Sequence, residues 1–152
     1  YGEDVAFNTL PVSLAIGDEY LNGFVAYLDG TGHGFVVSKT DLTSSKWSNT
    51  FDDVDTDYSD GYKNTSLITS ITTSGDCAAK KCKDLGSDWY LPSRNELYKL
   101  YEVKSILNMT GSFYWSSSQT SRYYAVAVDF SNNNPIDKSK SDLHSVRAIR
   151  KF

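Results

Sequence analysis

The chain has 152 residues, 39% of them hydrophobic and 22% charged, which fits one globular domain and not a disordered segment. A net charge of −4 without a basic stripe excludes nucleic acid as the main partner, because phosphate contacts need clustered Lys and Arg. No apolar run reaches the length that membrane insertion requires.

The chain opens at Tyr1 without Met, which reads as a processed form or an excised domain. Residues 1–20 read as an N-terminal arm or linker strand, with Val12, Leu14 and Ile16 alternating with Ser13 and Ala15 after Pro11. The stretch FVAYLDGTGHGFVVS (24–38) predicts a β-hairpin, two apolar runs joined by a glycine-rich turn. A phosphate loop would lead into a helix, whereas Phe35, Val36 and Val37 continue as a strand.

Residues 40–66 are polar and acidic and read as irregular. Asp53, Asp55 and Asp57 alternate like the opening of a helix–loop–helix calcium site. The sixth position is Tyr58 instead of Gly, however, and the twelfth is Asn64 instead of Glu. Two alternatives stay open: a solvated acidic loop, or an irregular calcium site on Asp53, Asp55 and Asp57 with Asp52 and Asp60 nearby.

Two helices are expected next. The first spans about 76–86, with Asp76 as N-cap, an apolar face of Ala78, Ala79, Cys82 and Leu85, and Gly86 as stop. Its cysteines, Cys77 and Cys82, would sit about 8 Å apart on a helix, beyond disulfide reach; two buried or half-buried thiols are the preferred expectation, and a bridge would need a distorted first turn. The second helix carries a capping box, Ser93 and Glu96, followed by an apolar stripe of Leu97, Leu100, Tyr101 and Leu107. From Tyr114 onward the chain reads as strands, one ending at Phe130 and the last within HSVRAIRKF. The sum is an α+β domain with two helices packed on small antiparallel sheets and its N- and C-terminal strands paired.

Several segments, in order, carry a resemblance: the hairpin, Trp47, GYKNT (61–65), DWYLPSRNEL (88–97), FYWSSS (113–118), a strand ending in DF, and VRAIR (146–150). Together they resemble the C-terminal domain of bacterial collagen-like adhesins, which have a C-type-lectin-like fold, over residues 21–152. LPS…EL and VRAIR are also distantly similar to the formylglycine-generating enzyme branch of that fold. Relatives carry a late cysteine where this chain has Ala148. The oxidase branch needs a cysteine pair near the end, and no Cys follows Cys82, so the resemblance does not imply that activity. The glycosaminoglycan binding of the adhesin is not carried over, because Arg122, Lys138, Lys140, Arg147, Arg150 and Lys151 are interspersed with Asp129, Asp137 and Asp142.

No nucleophile elbow or metal-binding His pair is present, and the only imidazoles are His33, in a glycine turn, and His144, before the last strand. No enzyme is expected. Phe113 to Ser118 read as part of the fold. Ser, Tyr, Asn and Asp fill more than half of residues 112–145, a chemistry that favours contact, since Tyr gives rigid area and Ser and Asn adapt their hydrogen bonds. The expected recognition face comprises Tyr123, Tyr124, Asp129, Ser131, Asn132, Asn133, Asn134, Lys138, Lys140 and Asp142.

The resemblance implies a secreted or surface-exposed bacterial or phage protein that recognises a host or cell-surface glycan or protein receptor. It also implies that this late region is varied, because retroelement-diversified proteins share the fold and randomise it there. The alternative is a structural tip or trimerisation domain, a homo-oligomer within a parent fibre, linked through the arm at 1–20.

Overall fold

In the computed structural model, which describes residues 13–72 and 75–152, a short strand β1 (Glu19–Tyr20) leads into the expected hairpin. Its strands are β2 (Gly23–Leu28) and β3 (Gly34–Ser38). The turn is closed by Asp29, whose carboxylate accepts the N–H groups of Thr31 (2.7 Å) and His33 (3.3 Å). Gly30 and Gly32 take φ of 85° and 93° there, which costs a glycine little. Phe35, Val36 and Val37 are all buried because the sheet is covered on both faces. Val36 enters one apolar core with Trp47 and Trp115; Phe35 and Val37 enter a second with Leu97, Leu100 and Tyr114.

The arm expected over 1–20 falls largely outside the described residues, as does Val12. Residues 13–16 form no strand.

After β4 (Leu42–Ser45) the chain runs irregularly to Asp60, then forms a helix where an irregular loop was expected: α1 (Gly61–Ile71). Among the described residues there are therefore three helices where two were expected. The apolar periodicity of α1 is weak because its inner face is largely polar, with Asn64 and Thr65 buried beside Ile68. Asp60 caps it by accepting the Lys63 N–H (3.0 Å). Gly61 is required by close approach, since a Cβ there would stand 2.6 Å from both Glu96 Oε1 and the Leu91 carbonyl.

The next helix, α2 (Ala78–Lys83), is shorter than expected and is capped at Cys77 without a side-chain bond. Asp76 instead accepts from Ser45 Oγ (2.8 Å) and the Lys46 N–H (3.2 Å), tying the helix entrance to the end of β4. Leu85 lies past the helix and is exposed. Cys77 and Cys82 are buried free thiols as expected, and burial pushes both up in pKa. The capping box of α3 (Arg94–Glu102) forms as read: Ser93 Oγ accepts the Glu96 N–H (3.2 Å), and Glu96 Oε1 accepts the Ser93 N–H (2.9 Å). Leu107 is buried beyond the helix end.

Five strands follow: β5 (Phe113–Gln119), β6 (Tyr124–Asp129), β7 (Asn134–Ser139), β8 (His144–Val146) and β9 (Ile149–Lys151). One sheet has the order β1-β2-β3-β9 and the other β4-β8-β5-β6-β7. The C-terminal strand β9 pairs with β3 of the N-terminal hairpin and not with the first strand β1, with Phe35 opposite Lys151 and Val37 opposite Ile149. The second sheet is mixed, because β5 and β8 run parallel with Tyr114 opposite Ser145. The architecture is α+β.

FYWSSS forms the centre of this sheet. Ser116, Ser117 and Ser118 are fully buried, yet each hydroxyl has work within the fold. Ser116 Oγ donates to the Val126 carbonyl (2.7 Å), Ser117 Oγ accepts from Asn64 Nδ2 (3.1 Å), and Ser118 Oγ donates to the Asp57 carbonyl (2.8 Å). Two buried indoles complete the attachment. Trp47 Nε1 donates to the Ser116 carbonyl and Trp115 Nε1 to the Ser45 carbonyl, both at 2.8 Å.

Trp47→Phe removes one of these bonds, leaves a buried carbonyl unpaired and shrinks a filled site. It should lower the unfolding free energy by about 2–4 kcal/mol. Urea titration checks this, and a loss below about 1 kcal/mol would contradict it.

Candidate functional site

The expected recognition residues lie on the β6–β7 hairpin, but at opposite ends of it. Tyr123 and Tyr124 stand where β6 begins, while Asp129 to Asn134 run through the turn where it ends. At the rise of a β-strand, Tyr124 and Asp129 are about 17 Å apart. There are two patches, with Lys138 between them opposite Ala125 and its ammonium 4.4 Å from the Phe113 ring centre. Asp142 is exposed on the loop that follows β7.

The tyrosine end is an aromatic surface. Tyr123 is 52% exposed, Tyr124 48% and Phe51 41%. The Tyr123 and Phe51 rings are 5.6 Å apart, the Arg122 guanidinium lies 5.5 Å from the Tyr123 ring, and Arg122 Nε donates to the Phe51 carbonyl (3.1 Å). Large rings left in water this way are available to a partner at little entropic cost.

Lys140 explains why Phe51 is there. It was expected on the exposed face but is fully buried, 4.4 Å over the Trp47 ring. Its ammonium donates to the Asp52 carbonyl (2.8 Å) and to Gln119 Oε1 (2.6 Å). Gln119 Nε2 in turn donates to Asp53 Oδ1 (2.6 Å). Lys140 thus belongs to the support under the patch. A lysine is interior here because two oxygens, an aromatic face and the nearby Asp53 and Asp52 charges receive its head group.

The aspartates read as an irregular calcium site are drawn into different roles. Asp53 and Asp55 border a groove of about 330 Å³ with Thr56, Gln119 and Thr120. Asp57 instead accepts the N–H groups of Ser59 (2.8 Å) and Asp60 (2.7 Å), bonds that hold its carboxyl below the usual carboxylate range. Asp60 is spent on the α1 cap. Among the described residues, no three His, Cys, Asp or Glu side chains come together to hold a metal ion.

The turn end is bound up in its own conformation. Asp129 Oδ1 accepts from the Ser131 N–H (2.9 Å) and Oγ (2.7 Å), which lowers its pKa, and Asn132 Oδ1 accepts the Asn134 N–H (3.1 Å). Asn133 sits at φ 61°, a left-handed conformation that Asn tolerates. Asp129 and Ser131 also border a cavity of about 520 Å³ with Phe113, Met109 and Phe130, where the Lys104 ammonium donates to the Phe130 carbonyl.

Neither imidazole has the setting of a general base. His33 is exposed, with Nδ1 3.3 Å from the Phe152 carbonyl. His144 is packed against the Trp115 and Phe113 rings, 3.9 Å from Asp142, and burial lowers its pKa. The sequence reading missed Phe51, Arg122 and Gln119 as parts of the site. A signal for Phe51 was present: an aromatic residue in an otherwise polar, acidic stretch.

The arrangement defines an α+β domain that presents an aromatic patch on a hairpin end. Neither a protein-family model nor a curated protein matches the chain. Among solved structures it is similar to the crystal structure of a fimbrial protein from Bacteroides ovatus, with a TM-score of 0.60 at 17% identity. The match covers 86% of this chain and 44% of that one, so the chain spans under half the length of its structural neighbour. At that identity the likeness concerns the fold alone.

Burial lowers the Lys140 pKa to about 8, from 10.5, against the smaller opposing pull of Asp53 and Asp52. Between these values the unfolded chain binds more protons than the folded one, so the Lys140 contribution to stability rises with pH from about 8 to 10.5. Buried thiols and tyrosines oppose this at alkaline pH, because their raised values lose stability as pH rises; they are common to wild type and variant. The stability of wild type relative to Lys140→Met should therefore increase from pH 8 to about 10. Urea unfolding across that range measures it, and a difference independent of pH would refute it.

Proposed function

We propose that this chain is a non-catalytic, ligand-binding domain of the adhesin type, from a secreted or surface-exposed bacterial or phage protein. The observation that carries this reading is the patch of Phe51, Tyr123 and Tyr124, exposed at the hairpin end and flanked by Arg122. The ligand is a glycan or protein receptor of a host or cell surface. Exposed tyrosine faces stack on sugar rings, and the same rings serve as anchors against a protein. The family we assign is C-type-lectin-like. Its support is the ordered set of segments from the hairpin to VRAIR, together with the pairing of β3 with β9.

Diversification of this chain falls on Tyr123, Tyr124, Lys138 and Asp142. Lys140 drops out as a buried support, and Asp129, Ser131, Asn132, Asn133 and Asn134 serve the turn. Comparing gene copies from related strains tests this, and identical residues at these four positions throughout would reject it.

A second reading, a structural tip or trimerisation domain of a fibre, is favoured by the fold likeness to a fimbrial protein. The two readings separate in one experiment. On a glycan array the wild-type domain should bind, binding should survive a calcium chelator, and Phe51→Ala/Tyr123→Ala should lose about tenfold in affinity with an unchanged melting temperature. Silence on the array together with a discrete trimer in light scattering would instead select the structural reading.

A further inference from the structure

The buried head group of Lys140 stands against an amide, and that amide stands against an acid. Lys140 Nζ is 2.6 Å from Gln119 Oε1, so with a C=O bond of about 1.2 Å the amide carbon Cδ lies within about 4 Å of the amine. On its other side, Gln119 Nε2 donates to Asp53 Oδ1 at 2.6 Å. An amine, a carbonyl carbon, a leaving nitrogen and a carboxylate able to carry a proton thus follow one another in contact. Acyl transfer to an amine needs these parts.

The surroundings favour the free amine. Lys140 is wholly buried, its nitrogen 4.4 Å from the centre of the Trp47 ring and held by the Asp52 carbonyl at 2.8 Å. Burial brings its pKa to about 8, and the Arg122 charge pushes the same way against Asp53 and Asp52. An amine that loses its proton near neutral pH, out of water and against one carbonyl, is a positioned nucleophile. Asp53 and Gln119 also border the groove of about 330 Å³ shared with Asp55, Thr56 and Thr120. Ammonia released at Nε2 has its exit there.

We propose that Lys140 and Gln119 join in an intramolecular isopeptide bond, with Asp53 carrying the proton. The neutral amine attacks Cδ, and the Nζ–Cδ bond forms as the carbonyl electron pair moves onto Oε1. In the tetrahedral adduct both nitrogens are on Cδ, so the Asp53 carboxylate reaches both. It takes one proton from Nζ and gives it to Nε2. The oxyanion then collapses, the Cδ–Nε2 bond breaks, and Nε2 leaves as ammonia. One amine and one primary amide give one secondary amide and one ammonia, so the step needs no oxidant, metal or second substrate. It occurs once per chain.

The bond links the last residue of β5 to the residue after β7, which turns the whole β6–β7 hairpin into a covalent loop. The end carrying Tyr123 and Tyr124 then stays tethered when the strands separate. The reaction does not depend on receptor binding.

Intact-mass spectrometry of the whole chain during incubation at about pH 9 tests this, with about pH 6 as the comparison in which the amine stays protonated. The mass should fall by one ammonia, faster at the higher pH, and a tryptic digest should contain a branched peptide joining Gln119 to Lys140. Asp53→Asn, at an exposed position, should fold like wild type and react roughly a hundredfold slower, although losing the Asp53 charge frees more of the amine. Lys140→Met and Gln119→Met should form no branched peptide. Both remove support from the fold, so the wild type supplies a second readout. The rise of stability with pH belongs to the free amine and should vanish once the bond has formed, while the melting temperature increases. An unchanged mass in the folded wild type, or an equal rate in Asp53→Asn, would overturn the proposal. So would an ammonia loss that maps to Asn22, which precedes Gly23 and expels the same ammonia on closing to a succinimide.

Discussion

Everything else in this structure depends on a reciprocal contact between two tryptophans and the opposing chain. Trp47 donates to a carbonyl of β5, and Trp115 of β5 donates to the carbonyl of Ser45, two residues before Trp47. Each ring fills the core while its one polar atom is satisfied, which is the condition for burying an indole without loss. The Trp47 N–H also donates to the Lys140 carbonyl at 3.0 Å, and the Trp47 ring lies under the Lys140 ammonium. One residue, through its indole and its main-chain N–H, thus joins the segment after β4 to both β5 and the end of β7. The irregular stretch from Lys46 to Asp60 has no strand to hold it, so its position follows from these bonds.

The polar interior extends the same logic. A segment without secondary structure has main-chain groups that need partners, and here side chains of the central sheet supply them. Ser118 serves the Asp57 carbonyl and Lys140 the Asp52 carbonyl, while in the reverse sense Thr56 Oγ1 accepts the Gln119 main-chain N–H at 2.8 Å. Phe51 immediately precedes Asp52 in this anchored run, so its ring is delivered beside Tyr123. The aromatic patch is therefore built by two distant parts of the chain, and its geometry is only as good as the buried bonds beneath it.

What could be read from sequence follows where local chemistry is self-sufficient. The hairpin was legible because glycines and alternating apolar runs act within fifteen residues, and the α3 cap because Ser93 and Glu96 need only each other. Helix α1 was not legible, since Asn64 and Thr65 face inward only because Ser117 and the Leu91 N–H wait for them across the fold. Asp76 has the spacing of an N-cap, yet Ser45 and Lys46 compete for its carboxylate and win. Lys140 misled for the same reason: a lysine in a polar stretch reads as solvated until Trp47, Gln119 and Asp52 are seen to enclose it. Of the ten positions expected on one face, the tertiary structure keeps the two tyrosines at one end, withdraws Lys140, and gives the turn residues to the turn.

The two ends of the hairpin also differ in how firmly side-chain identity is tied to shape. At the tyrosine end the backbone is held by bonds that no tyrosine side chain makes. The Tyr123 carbonyl accepts the Lys140 N–H, the Tyr124 carbonyl accepts the N–H groups of Thr120 and Ser121, and Ser121 Oγ accepts the N–H groups of both tyrosines. At the turn, by contrast, the side chains of Asp129 and Asn132 are themselves the bonds, and Asn133 occupies a φ that few other residues accept without strain. A surface that must change its chemistry while keeping its shape belongs at the first end. There a substitution alters what is offered to a partner and leaves the loop that offers it in place.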